Sequence, residues 1–139
     1  MTGSFSDYLE KKLLDHVLGG VAYTPPATVY VGLATEAITD ATTGTTVAEP
    51  TGGAYARVAV TNNATNWPAA SGTTATKKNG TEIAFPEATA GWGTVTYFFI
   101  ADAATGGNIL MWGSLSASKT IDSGDLPRFN PNSLTVTLD

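Results

Sequence analysis

Apolar residues recur at every second position in several short segments of this chain, and at helical spacing in one alone. Val29, Val31 and Leu33 alternate with Tyr30 and Gly32, Val58 and Val60 with Arg57 and Ala59, and Leu134, Val136 and Leu138 with Thr135 and Thr137. Successive strand residues point to opposite faces, so each segment reads as a half-buried strand. Trp92 to Ala101 is the most apolar run, with Val95, Tyr97 and Phe99 on one side and Phe98 and Ile100 on the other. It is expected as a central strand with both faces covered. Thr81 to Phe85, Ile109 to Leu115, Lys119 to Ile121 and Leu126 to Phe129 are further strand candidates, with turns at Asn79-Gly80 and at Thr105-Gly106-Gly107-Asn108. The 23 threonines, 20 alanines and 15 glycines among 139 residues suit short β-branched strands joined by small, polar turns. No connection contains a helical crossover, so the strands are expected to pair antiparallel. The expected fold is mainly β: a single antiparallel β-sandwich or barrel-like domain over residues 1–139, with the sandwich from about 28 to 139.

The helical exception runs from about 6 to 18, where Leu9, Leu13, Val17 and the adjacent Leu14 and Leu18 recur at spacings of three and four. Ser6 can cap its start, Asp7 and Glu10 complement the positive end of its dipole, and Gly19-Gly20 supplies a left-handed stop. Phe5 and Tyr8 widen the apolar face, leaving Lys11, Lys12 and Asp15 for water or a partner. Residues 35–53 read as a long surface loop, and residues 62–79 as a second polar loop holding Trp67-Pro68.

The charge balance and residue inventory exclude several functions. A net charge of -5 opposes binding that depends on neutralising phosphates, so no nucleic-acid partner is expected. No apolar run approaches the roughly 20 residues that cross a bilayer, so no membrane partner is expected, and Met1 to Glu10 lacks a secretory pattern, pointing to synthesis in the cytoplasm. The absence of cysteine removes disulfides and thiolate chemistry. His16 is the only histidine and reads as a helix-end cation, with no Gly-x-Ser-x-Gly elbow to pair with. Glu82, Glu87, Asp102, Asp122 and Asp125 read as turn formers, and the Gly-rich stretches precede strands, where no helix dipole would receive a phosphate. No catalytic residue, metal ligand or cofactor is expected; the chain should work by binding. Trp112, beside Ile109, Leu110 and Met111, is expected in the core, whereas Trp67, between Asn66 and Pro68, is expected as an exposed anchor. The candidate contact residues are Phe5, Tyr8, Lys12 and Trp67.

The segments Phe5-Ser6-Asp7-Tyr8 through Leu18, Ala22 to Leu33, Gly53 to Arg57, Trp92 to Val95, Asp102 to Asn108 and Leu134 to Leu138 together resemble a family of small virion proteins of tailed bacteriophages. The resemblance spans nearly the whole chain and none of its blocks is a catalytic motif. It implies a structural role in the particle, as a tail-fibre, minor tail or head-decoration protein made in the host cytoplasm. Because the chain shows no repeat of the kind an elongated shaft uses, head decoration is the first expectation. The chain would then cement the outer surface of the capsid by binding the major capsid protein, as a homo-oligomer with a trimer favoured over a dimer. The alternative is a fibre or minor tail protein that recognises the host surface.

Overall fold

The computed structural model describes residues 3–138. In chain order these form β1 (Gly3–Phe5), α1 (Asp7–Val17), β2 (Thr28–Ala34), β3 (Val58–Thr61), β4 (Ala75–Lys78), β5 (Ile83–Ala84), β6 (Gly93–Ala101), β7 (Ile109–Ile121), β8 (Arg128–Phe129) and β9 (Thr135–Leu138). β1-β7-β6-β2-β3 make a five-stranded sheet, while β4 pairs with β9 and β5 with β8 in separate ribbons. Every pairing is antiparallel and no barrel closes, so the mainly-β reading with one N-terminal helix holds.

Both faces of the main sheet are covered. On one, Val29, Val31 and Leu33 of β2 and Val95, Phe98 and Ile100 of β6 meet Leu9 of α1, Ile83 of β5, and Leu134 and Val136. On the other, Ala34, Phe99, Ala101 and Ile109 are roofed by Ile38, with Val47 packed alongside. Segment 35–53 has no regular structure, as expected of a loop, yet Ile38 is only 3% exposed, so the segment also serves as the lid on a sheet face.

A register shift corrects the expected facing of β6. Val95 pairs with Lys119 and Tyr97 with Ser114, so a single β6 residue opposes four on β7. The extra β7 residues reorient the local strand. Val95 consequently shares a core with Phe98 and Ile100, not with Tyr97 and Phe99 as strict alternation predicts. The same irregularity joins the two expected strands at Ile109 to Leu115 and Lys119 to Ile121 into the 13-residue β7.

The helix lies within its expected limits. The Ser6 hydroxyl accepts from the Leu9 amide at 3.2 Å and donates to the Ile109 carbonyl, so the N-cap also pins α1 to β7. At the other end the Leu18 amide donates to the Leu14 carbonyl and Gly20 takes φ +67°. β1 and β4 have no signature of their own. Neither Gly3–Phe5 nor Ala75–Lys78 alternates apolar with polar residues; each is a strand because a partner, β7 or β9, supplies the ladder.

Candidate interaction surface

Three arrangements distinguish the described residues: a buried cation that braces the loops, a polar cleft on one side of α1, and an apolar groove on the other.

Arg57, just before β3, has a side chain 1% exposed. Its Nε and Nη2 donate to the two carboxylate oxygens of Glu49, each at 2.9 Å. Nη1 donates to the carbonyls of Ala103 (2.8 Å) and Gly106 (2.9 Å), and Nη2 also to that of Gly44 (2.9 Å). All five guanidinium N–H groups are thereby used, which is the condition under which a buried charge is tolerated. The guanidinium also lies 4.9 Å from the centroid of the Phe99 ring. One side chain thus ties segment 35–53 to the β6–β7 turn. In that turn Asp102 accepts from the backbone and side-chain nitrogens of Asn108, at 2.8 and 2.9 Å. The Tyr55 hydroxyl donates to Glu49 at 2.8 Å and accepts from the Leu33 amide at 3.0 Å. Burial, reinforced by the Glu49 carboxylate, pushes the Tyr55 phenol above its ordinary range.

The polar cleft, about 560 Å³, runs between α1 and segment 40–43. Tyr8, Lys11, Lys12 and Asp15 form its helix wall, and Asp40 and Thr42 stand opposite. The Lys12 ammonium sits 5.7 Å from the Tyr8 ring centroid. Asp40 holds the far wall in place: its carbonyl accepts from the Asp7 amide at 2.8 Å and its carboxylate from the Trp112 indole at 3.0 Å.

The apolar groove, about 390 Å³, opens between α1 and the sheet and is lined among others by Phe5, Leu13, Tyr23, Pro25, Trp67 and Met111. Beside it, Leu14, Val17, Leu18 and Val21 are 60%, 73%, 80% and 58% exposed. Leu14 and Val17 on the last turn of α1, Leu18 at its C-cap and Val21 just past the Gly20 turn make up an apolar patch that the fold leaves open.

The four contact candidates read from the sequence are therefore split. Tyr8 and Lys12 meet in the polar cleft, while Phe5 and Trp67 line the groove. The expectation that Trp67 is exposed is overturned: it is 8% exposed and belongs to the main core. Its polar neighbours build the turn that drives it inward. The Asn63 side chain accepts from the amides of Thr65 and Asn66, the Asn63 carbonyl accepts from the Trp67 amide, and the Asn66 side chain donates to the Thr61 carbonyl. Trp112 departs from expectation in the opposite sense. It is only half-buried, packs against Tyr97 at 5.9 Å and sends its indole N–H out to Asp40.

The carboxylates do what turns require. Asp125 accepts from the Asp122 amide at 2.8 Å, and Glu82 lies 3.8 Å from Arg128 at an exposed position. His16 is exposed in the last turn of α1, with Nδ1 3.2 Å from the Val21 carbonyl. Among the described residues no three His, Asp or Glu side chains converge as a metal site would need, and no helix is long and apolar enough to cross a membrane. Of the apolar helix positions read from the sequence, Leu9 alone is buried, while Leu14, Val17 and Leu18 stay exposed: the spacing identifies an apolar face wider than the sheet covers.

No curated protein matches the chain. The family model described as podophage GP4 fiber I protein gp80 matches residues 4–137. That span takes in α1, the main sheet and both ribbons, together with the cleft and the groove. The chain belongs to this podophage fibre I family and is a phage virion structural protein of fibre-like type.

Proposed function

We propose that the chain is a module of a tail-fibre assembly that works by surface contact, with no bond of a small molecule made or broken. The observation that carries this reading is the family match over residues 4–137. The 139 residues show no shaft-like repeat, so this module is read as a terminal or connecting part of the fibre. The braced architecture suits a part that transmits force. A loop tied at Arg57 to a turn 46 and 49 residues further along the chain cannot move independently of the sheet.

In this reading the contact surface for another virion protein or for the host is the polar cleft, through Tyr8 and Lys12. Aromatic and flexible cationic side chains beside hydroxyl-rich loops suit a polar, adaptable interface. Cementing of the capsid surface through the major capsid protein is the second reading, favoured by the absence of a shaft repeat. A phage lacking this gene separates the two. The fibre reading requires intact, heat-stable heads that adsorb poorly to the host. Heads that assemble but fail on heating, with normal adsorption, overturn it in favour of cementing, since a cement stabilises only the shell that binds it. Glycan turnover by the purified chain would overturn both.

A further inference from the structure

The sequence carries one Asn-Gly pair, Asn79-Gly80, and the fold does not use it as the hairpin turn expected there. β4 before it pairs with β9 and β5 after it with β8, so the pair lies where the chain crosses from one ribbon to the other. Asparagine followed by glycine is prone to lose ammonia, because no side chain shields the following nitrogen from the asparagine amide carbon. We propose that Asn79-Gly80 is a self-modification site that the fold holds shut and unfolding opens, so that conversion of Asn79 makes loss of the native structure irreversible. This holds independently of the fibre reading.

Both reacting groups are committed elsewhere in the native chain. The nucleophile is the Gly80 nitrogen, which donates to the Asn66 carbonyl at 2.7 Å. The electrophile is Cγ of Asn79, a residue 0% exposed. Asn79 Nδ2 donates to the carbonyls of Thr81 (2.8 Å) and Asn130 (2.9 Å), and Oδ1 accepts from the Leu134 amide at 2.9 Å. Three hydrogen bonds fix the side chain, and burial keeps out the water that the second step needs. The glycine is equally constrained. A Cβ at residue 80 would lie 2.4 Å from the Thr65 carbonyl oxygen and 2.8 Å from the Pro68 ring. The fold thus calls for the labile pair itself: asparagine because it donates and accepts at once, glycine for want of space.

Unfolding removes these restraints. The Gly80 nitrogen then gives up its proton and bonds to Cγ, the Cγ–Nδ2 bond breaks, and the side-chain nitrogen leaves with that proton as ammonia. Water opens the resulting five-membered imide at either carbonyl, leaving aspartate or isoaspartate. Aspartate replaces two donors by a carboxylate facing the Thr81 and Asn130 carbonyls, which a buried site does not tolerate. Isoaspartate also lengthens the backbone by one carbon. Neither product can regain the native site, and the unfolded chain is lost by covalent change.

Incubation of the full chain at mildly alkaline pH, native and in guanidinium chloride, tests this by peptide mapping. Conversion of Asn79 is expected to be about a thousandfold or more slower in the native chain, where only the rare unfolded molecules react. On dilution from denaturant, the yield of native chain by circular dichroism should fall with time spent unfolded, in step with that conversion. The refolded fraction should carry Asn79 intact, and the fraction that stays unfolded should carry aspartate or isoaspartate there. Native and unfolded rates within about tenfold of each other would overturn the proposal, since the fold would then give little protection. A yield that falls while Asn79 is intact, or converted chain found in the refolded fraction, would overturn it equally.

Discussion

Arg57 concentrates more of the molecule's long-range order than any other described side chain. It neutralises Glu49 and satisfies three backbone carbonyls drawn from segment 35–53 and the β6–β7 turn. Lysine keeps the charge but not the planar fork, so Arg57→Lys strands carbonyls and half of the carboxylate in a buried site. Its expected cost is about 1–3 kcal/mol in denaturant unfolding, the range for leaving buried hydrogen-bonding groups unsatisfied. Trp67 presents the opposite case. Its indole N–H is buried without a partner, an arrangement that opposes folding even though the ring is well packed. Trp67→Phe, which removes the orphaned donor and keeps an aromatic ring, should leave stability within about 1 kcal/mol of the wild type, whereas Trp67→Ala should cost about 3–5 kcal/mol. If both substitutions cost the same, the ring's packing is not what the site contributes.

At the scale of elements, β2 and β6 depend on a glycine. Gly32 pairs with Phe99, and a Cβ there would fall 2.2 Å from the Phe99 Cζ, so the ring occupies the volume a side chain would need. Gly32→Ala must displace Phe99 and with it the ring beneath the Arg57 guanidinium; a loss of about 1–3 kcal/mol is expected in thermal or denaturant unfolding. Tyr55, which donates to Glu49 of the lid formed by segment 35–53, also carries a titration. Tyr55 is held neutral in the fold, so its phenol ionises more readily once the chain unfolds. Its contribution is fully present below the unfolded value of about 10 and is lost progressively as pH rises above it. The slope of stability against pH above about 10 should therefore become shallower by up to one proton in Tyr55→Phe. The strands that hold the core were legible because Val29, Val31, Leu33, Leu134 and Val136 alternate in the sequence itself. The departures share one cause: residues whose partners are not visible in the local pattern. β4 is a strand only because β9 pairs with it, Val95 changes face because β7 carries extra residues, and Trp67 turns inward because asparagines organise its loop. The candidate site was half legible, since Tyr8 and Lys12 fall on one helix face by spacing alone, whereas the groove joins α1 to β7, β9 and the Pro25 segment.

For the whole molecule, the surfaces on the two sides of α1 are chemically distinct and should be separable by substitution. Tyr8→Ala with Lys12→Glu alters the polar cleft and leaves the apolar patch intact. Phage carrying that pair should assemble and keep heat-stable heads while adsorbing about tenfold or more slowly, the loss expected when a few central contacts carry most of an interface. Unchanged adsorption would remove the cleft from the contact surface. Whether the chain is a fibre component acting by contact is decided by a reconstruction of the intact particle. Density for residues 3–138 is expected in the fibres or where they join the tail, with the polar side of α1 against another protein or facing outward. Density for the chain distributed over the capsid lattice, or no copy in the finished virion, would refute the fibre assignment.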